Sequence, residues 1–223
     1  MNTPQTPNVE PTPLHEEIHT ELRLRLITGR IVPGLGLSTR RLADELGVSQ
    51  MPVREALSRL AAEGAVEIRS KRRIQVPPMT RERFDDLQRC RLLLEPLSAK
   101  LAIGYIDPPT LDRLRHYNQC LDLAMQNGDI NSYMEANYLF HFSIYRAHPH
   151  HVHNRLIESL WVQFGPFMRF VFSRIPSADL VDQHELALEA IARGDAEALA
   201  TAIHQDIADG MTLIDRNGVY HLG

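Results

Sequence analysis

The chain has 223 residues, which suits one large domain or two smaller ones, and 43% hydrophobic residues, which excludes wholesale disorder. No apolar run approaches the roughly 18 residues that a membrane-spanning helix needs. The formal net charge of −4 is unevenly divided: residues 1–78 carry 11 Lys and Arg against 9 Asp and Glu, residues 79–223 carry 13 against 19, so a polyanion partner belongs with the first part.

Residues 1–12 are rich in Pro, Thr and Asn and lack the charged and apolar regions of a secretion signal. They read as a disordered arm on a cytoplasmic protein. Cys90 and Cys120 stand in no ligand spacing and read as free thiols. Leu14, Ile18, Leu22 and Leu26 recur every four residues, the spacing of one helix face, up to Gly29. Ser38 or Thr39 can cap a second short helix that ends at Gly47. Ser49 caps a third, from about Gln50 to Glu63, with Pro52 tolerated in its first turn. Val66 and Ile68, then Ile74 and Val76, alternate with polar residues around a Ser70–Arg72 tip, the pattern of a β-hairpin. Pro77 and Pro78 stop it.

Beyond Met79 the periodicity is helical throughout. Helices are predicted near 80–104, 108–127, 130–147, 151–173, 177–193 and 195–216, with a kink at Pro166. The fold class is therefore mostly α: an N-terminal winged helix-turn-helix over 13–78 with a small β-hairpin wing, followed by an all-α antiparallel helical bundle over 79–223.

In a helix-turn-helix the second helix enters the major groove by its N-terminal residues, here Ser49, Gln50, Met51, Pro52 and Arg54. Arg54 suits phosphate or guanine, and Gln50 suits adenine among other edges. Arg40 and Arg41 open the preceding helix within reach of the backbone. Lys71, Arg72 and Arg73 cluster cations at the wing tip, suited to phosphate or the minor groove.

In the second half, Asn137 and His141 lie four apart on one helix. His184 precedes the Gly194-Asp195 turn by as many residues as Asp206 follows it, so an antiparallel hairpin brings them level. Two imidazoles, a carboxylate and an amide oxygen facing one interior form a plausible divalent-metal or effector pocket. His204 falls on another side of its helix. Arg91, on an apolar stripe, reads either as a rim residue or as the anchor for an organic acid. Arg169 and Tyr138 are weaker effector contacts. The run from His148 to His153 reads as a histidine-rich surface turn, and Trp161 with the Phe164–Phe172 segment as core and dimer packing.

The motifs L-S-x-R-x-L-A, L-G-V-S, P-V-R-E-A-L-x-R-L and E-G-x-V within 14–78 resemble the GntR-type regulators. The resemblance implies DNA contacts at Arg40 and Arg54. Gln50 stands where these regulators very often carry arginine, and Arg73 where they carry a wing glycine, so operator bases and wing contacts should differ. R-L-L-L-E-P-L at 91–97, Phe140-His141, and H-x-x-x-L-x-A-I-x-x-G-D-A-E-A from 184 resemble the FadR-like subgroup with an FCD-type effector domain. Many of its members hold a metal with one Asp and three His. His141 and His184 match that set; Asn137 replaces the Asp and Asp206 the last His, which shifts preference toward harder ions. The resemblance implies a homodimeric repressor on a pseudo-palindromic operator, sensing a small organic acid, with a divalent ion such as Zn2+ or Ni2+ as the cofactor to test. The competing reading is a metal-dependent helical-bundle enzyme fused to a DNA-binding module.

Overall fold

The computed structural model describes residues 13–70, 73–149, 152–172 and 181–215. The N-terminal arm, Lys71 and Arg72 of the wing tip, His150 and His151 lie outside these residues. α1 (Leu14–Ile27) buries Ile18, Leu22 and Leu26 at the predicted spacing, whereas Leu14 is half exposed and precedes the buried stripe. α2 (Thr39–Leu46) starts at Ser38, whose hydroxyl accepts from the Arg41 N–H at 3.3 Å, which settles the choice of cap. Gly47 takes the left-handed conformation (φ 67°) that ends α2 and turns the chain into α3 (Gln50–Ala62). Val53, Leu57 and Leu60 of α3 are buried on one face, and α3 packs on α1.

The wing is a two-stranded antiparallel hairpin of β1 (Glu67–Ser70) and β2 (Arg73–Gln75). Ile74 and Val76 are buried as the alternation predicts, but Ile68, opposite Ile74, is 47% exposed. The register is irregular between Ile68 and Ser70, at the outer end of the hairpin. The Leu37 N–H donates to Ile74 C=O at 2.6 Å, pinning the wing to the loop before α2.

Seven more elements follow: α4 (Arg81–Ala102), a 3-10 turn at Ile103–Tyr105, α5 (Pro108–Asn127), α6 (Ile130–Tyr145), α7 (Val152–Phe172), α8 (Gln183–Arg193) and α9 (Ala196–Asp215). Thr80, Asp107, Asp129 and Asp182 each accept an N–H of the helix they open. Asp182 caps α8 at Gln183, and the start near 177 that periodicity suggested lies outside the described residues. α7 continues through Pro166, and α4 accommodates Pro96. α4 packs on α9 and α7, α5 on α6 and α8, and α8 on α9.

One packed core runs from Ile18 to Ile214, across both halves of the chain. α1 lies directly on α7. A Cβ added to Gly165 of α7 would stand 2.5 Å from the Ile27 carbonyl oxygen and 2.6 Å from the Leu26 oxygen, so only glycine allows this backbone approach. Arg83 of α4 adds a polar tie, donating to Gly64 C=O at 2.9 Å and to Gln163 Oε1 at 3.3 Å.

Candidate DNA interface and effector centre

The α2–turn–α3 segment presents its polar residues outward. Arg40, Arg41, Ser49, Gln50, Met51 and Arg54 are exposed, and Pro52 is half-buried. Arg40 is 3.9 Å from Asp44, a loose approach, and Arg41 pairs with Glu45 at 3.2 Å. Arg54 reaches Gln50 Oε1 at 3.4 Å, so one guanidinium and one amide sit together at the start of α3. Ser49 occupies the N-cap position, but its side chain accepts no capping bond. The first N–H groups of α3 and this hydroxyl are thus available to an anion. Met51 is 63% exposed at the same end, an apolar surface beside the cations. Arg73 enters β2 opposite Ser70.

The second centre lies inside the bundle. α6 carries Asn137 and His141 on one face, α8 carries His184, and α9 carries Asp206. His141 Nε2 is 3.2 Å from Asp206 Oδ2 and 3.3 Å from His184 Nε2; His184 Nε2 is 3.6 Å from Asp206 Oδ1. Two ligands about 2.1 Å from one ion, at tetrahedral or octahedral angles, stand about 3.0–3.4 Å apart. The two separations at His141 Nε2 already have the spacing of a coordination edge and the third is slightly longer, so the three residues could hold a divalent ion. Asn137 is 95% buried in the same wall, lines the cavity, and bonds to nothing among the described residues.

Charge at the centre follows from burial and pairing. Burial pushes His184 below the usual histidine range, although Asp206 works the other way, which favours the neutral ring that can ligate. Burial works against the Asp206 carboxylate, but His184, His141 and Arg91 outweigh it and bring its pKa down to about 2. His204 is exposed on the other side of α9.

These side chains line a cavity of about 270 Å3. Met125, Met134, Met168 and Met211, four of the seven methionines, form much of its apolar wall, a surface that adapts to shape. Asp122, Asp182 and Asp209 also line it, against Arg91 as the single lining Lys or Arg among the described residues. Arg91 is no rim residue. It is 4% exposed, donates to Glu95 at 2.5 Å, and lies between the Trp161 and Phe164 rings at 4.9 and 5.1 Å.

Two expected contacts are absent from the lining. Tyr138 follows Asn137 by one residue, about 100° around α6, and instead meets Arg146, Phe142 and Trp161. Arg169 donates to Asn131 at 2.7 Å. Sequence reasoning missed Glu95 and Tyr145. Each carried a signal: Glu95 follows Arg91 by four residues, and Tyr145 follows His141 by four. His148 is buried and stacks edge-on against Tyr105 at 5.0 Å, which is a packing role rather than a surface one. No helix among the described residues is long and apolar enough to cross a membrane.

Comparison with known proteins covers both centres. Residues 14–76 match the model of the bacterial regulatory proteins of the gntR family, and residues 86–209 match the FCD domain. The chain is 31% identical to the HTH-type transcriptional regulator McbR of Escherichia coli over 92% of its length and 96% of the relative's. It is 27% identical to the gluconate operon transcriptional repressor of Bacillus subtilis, covering 85% of this chain and 80% of that one. The solved structure of E. coli McbR/YncC superposes with a TM-score of 0.85 at 28% identity, over 92% of this chain and 99% of the other.

Proposed function

Because the chain belongs to the GntR family of regulators and carries an FCD domain in its second half, we propose that it is a repressor whose hold on operator DNA is set by a small molecule bound with a divalent metal ion. As a ligand-responsive DNA-binding transcription regulator it divides into a DNA-binding part, 13–78, and an effector and dimerisation part, 79–223. The observation that carries the sensing role is the convergence of His141, His184 and Asp206 beside buried, unpartnered Asn137 in one cavity wall.

The donor set suits Zn2+ or Ni2+, with the carboxylate favouring harder ions than an all-imidazole set would. Such an ion would offer open positions to a donor of the effector. Four lining aspartates against one arginine already paired to Glu95 oppose a multiply charged anion. The effector is thus a carboxylic acid with one negative charge and an apolar body that lies along the methionines. Repression as the mode of action fits the gluconate operon transcriptional repressor among its relatives. We read the centre as a sensor rather than an enzyme, since the relatives are named regulators. The site of action is the cytoplasm, where an operator lies.

A homodimer fits a two-fold operator. Leu93, Leu97 and Leu101 form an exposed apolar stripe on α4, spaced by four residues, that a second copy would cover.

Loading the protein with Zn2+ or Ni2+ at a hundredfold over Kd should stabilise it by about 2.7 kcal/mol and raise its melting temperature by roughly 5–10 °C. His141→Ala should lose that rise and still shift operator DNA. Absence of metal from native protein, with no thermal gain on loading, removes the metal. Turnover of a small molecule without any change in operator binding overturns the sensor.

A further inference from the structure

We propose that Tyr145, held by Glu95, is the positioning residue that presents His141 to the cavity through a bare Nε2. This rests on reading the His141–His184–Asp206 cluster as a metal and effector centre.

Tyr145 is fully buried one helical turn beyond His141. Its hydroxyl is 2.9 Å from Glu95 Oε2 and 3.1 Å from His141 Nδ1. A carboxylate only accepts, so the hydroxyl proton is committed to Glu95. The phenol oxygen then has lone pairs alone to offer, and His141 must donate to it from Nδ1–H. A neutral imidazole has one N–H. In a ring with a single N–H that proton is the one on Nδ1, which leaves Nε2 a lone pair facing Asp206 Oδ2 and His184 Nε2.

Glu95 is equipped to hold this arrangement. It is 0% exposed, and its two oxygens take Arg91 Nε at 2.5 Å, Trp161 Nε1 at 3.0 Å and the Tyr145 hydroxyl. Three donors from three helices leave the carboxylate no freedom to turn. Burial and the Glu95 charge push Tyr145 well above its ordinary pKa, so the hydroxyl keeps its proton. Arg91 keeps its charge because Glu95 outweighs the burial that would lower it. The relay thus places two acceptors, Nε2 and a carboxylate oxygen, face to face at 3.2 Å. A metal ion or a proton between them relieves that repulsion, so the two compete for the site.

The test compares wild type with Tyr145→Phe, which keeps the ring and leaves Glu95 its bonds to Arg91 and Trp161. Long-range 15N NMR of the metal-free protein at pH 8.5 should show His141 protonated at Nδ1 in wild type. In the variant it should move toward the Nε2–H form common in free imidazoles. Zn2+ affinity, read by chelator competition, should fall about 10–100-fold. An Nε2–H form in wild type, or a tautomer unchanged by Tyr145→Phe, overturns the proposal. If wild type binds no metal yet shows the Nδ1–H form, lost in the variant, the metal reading falls and the positioning role of Tyr145 stands.

Discussion

Arg54 stands at the beginning of α3 with its guanidinium beside the Gln50 amide. Neither group has a stronger partner among the described residues, so little must be broken before they meet DNA. Arg54→Ala should weaken operator binding by about 1–3 kcal/mol, a 5- to 150-fold loss by gel shift, with an unchanged melting temperature. Unchanged affinity would remove Arg54 from the recognition surface. The residue scale is also where sequence reading was most uneven. His141, His184 and Asp206 could be brought together on paper because a helical hairpin turns symmetrically about Gly194-Asp195. Arg91 could not be placed, because its role depends on Glu95 and on two rings of α7, and only the packed bundle shows which neighbour it meets. Tyr138 was misplaced for a simpler reason: one residue along a helix is another face.

At the scale of elements, helices were legible wherever a polar cap or a glycine ended them. The end of α8 at Gly194 was legible in this way, while its predicted start at 177 lies outside the described residues. The wing was half legible: alternation located both strands, but the irregular register left Ile68 outside the core. α7 is the element that ties the two halves together. Its Trp161 bonds Glu95 of the effector network, Met168 lines the cavity, and Gly165 lies against the α1 backbone. Gly165→Ala would drive a methyl group into Ile27. It should cost about 1–3 kcal/mol as an overpacking change, seen as a lower midpoint in urea unfolding. A variant as stable as wild type would mean that α1 and α7 part easily. The single core, by contrast, was hidden in the sequence, where Pro77-Pro78 reads as a clean boundary.

For the whole molecule, the charge division acquires a physical setting. The cations of α2 and α3 face outward, while four aspartates of the second half line the cavity. Two-fold association would place two α3 helices on one duplex. Leu97→Glu, at the centre of the exposed α4 stripe, should convert dimer to monomer in light scattering and lower operator affinity at least tenfold, since each half-site would then bind alone. A dimer unaffected by that change would assign the interface elsewhere. The approach of Gly165 to Ile27 has a last consequence, for exchange of parts between regulators. α1 belongs by sequence to the winged part, yet its buried face is shared between α3 and α7. A hybrid joined at Pro77-Pro78 would inherit an α1 shaped for a different α7, with no guarantee of glycine at the crossing. Such chimeras should work only when α1 travels with the effector domain's own α7, so the two halves form a matched pair rather than interchangeable modules.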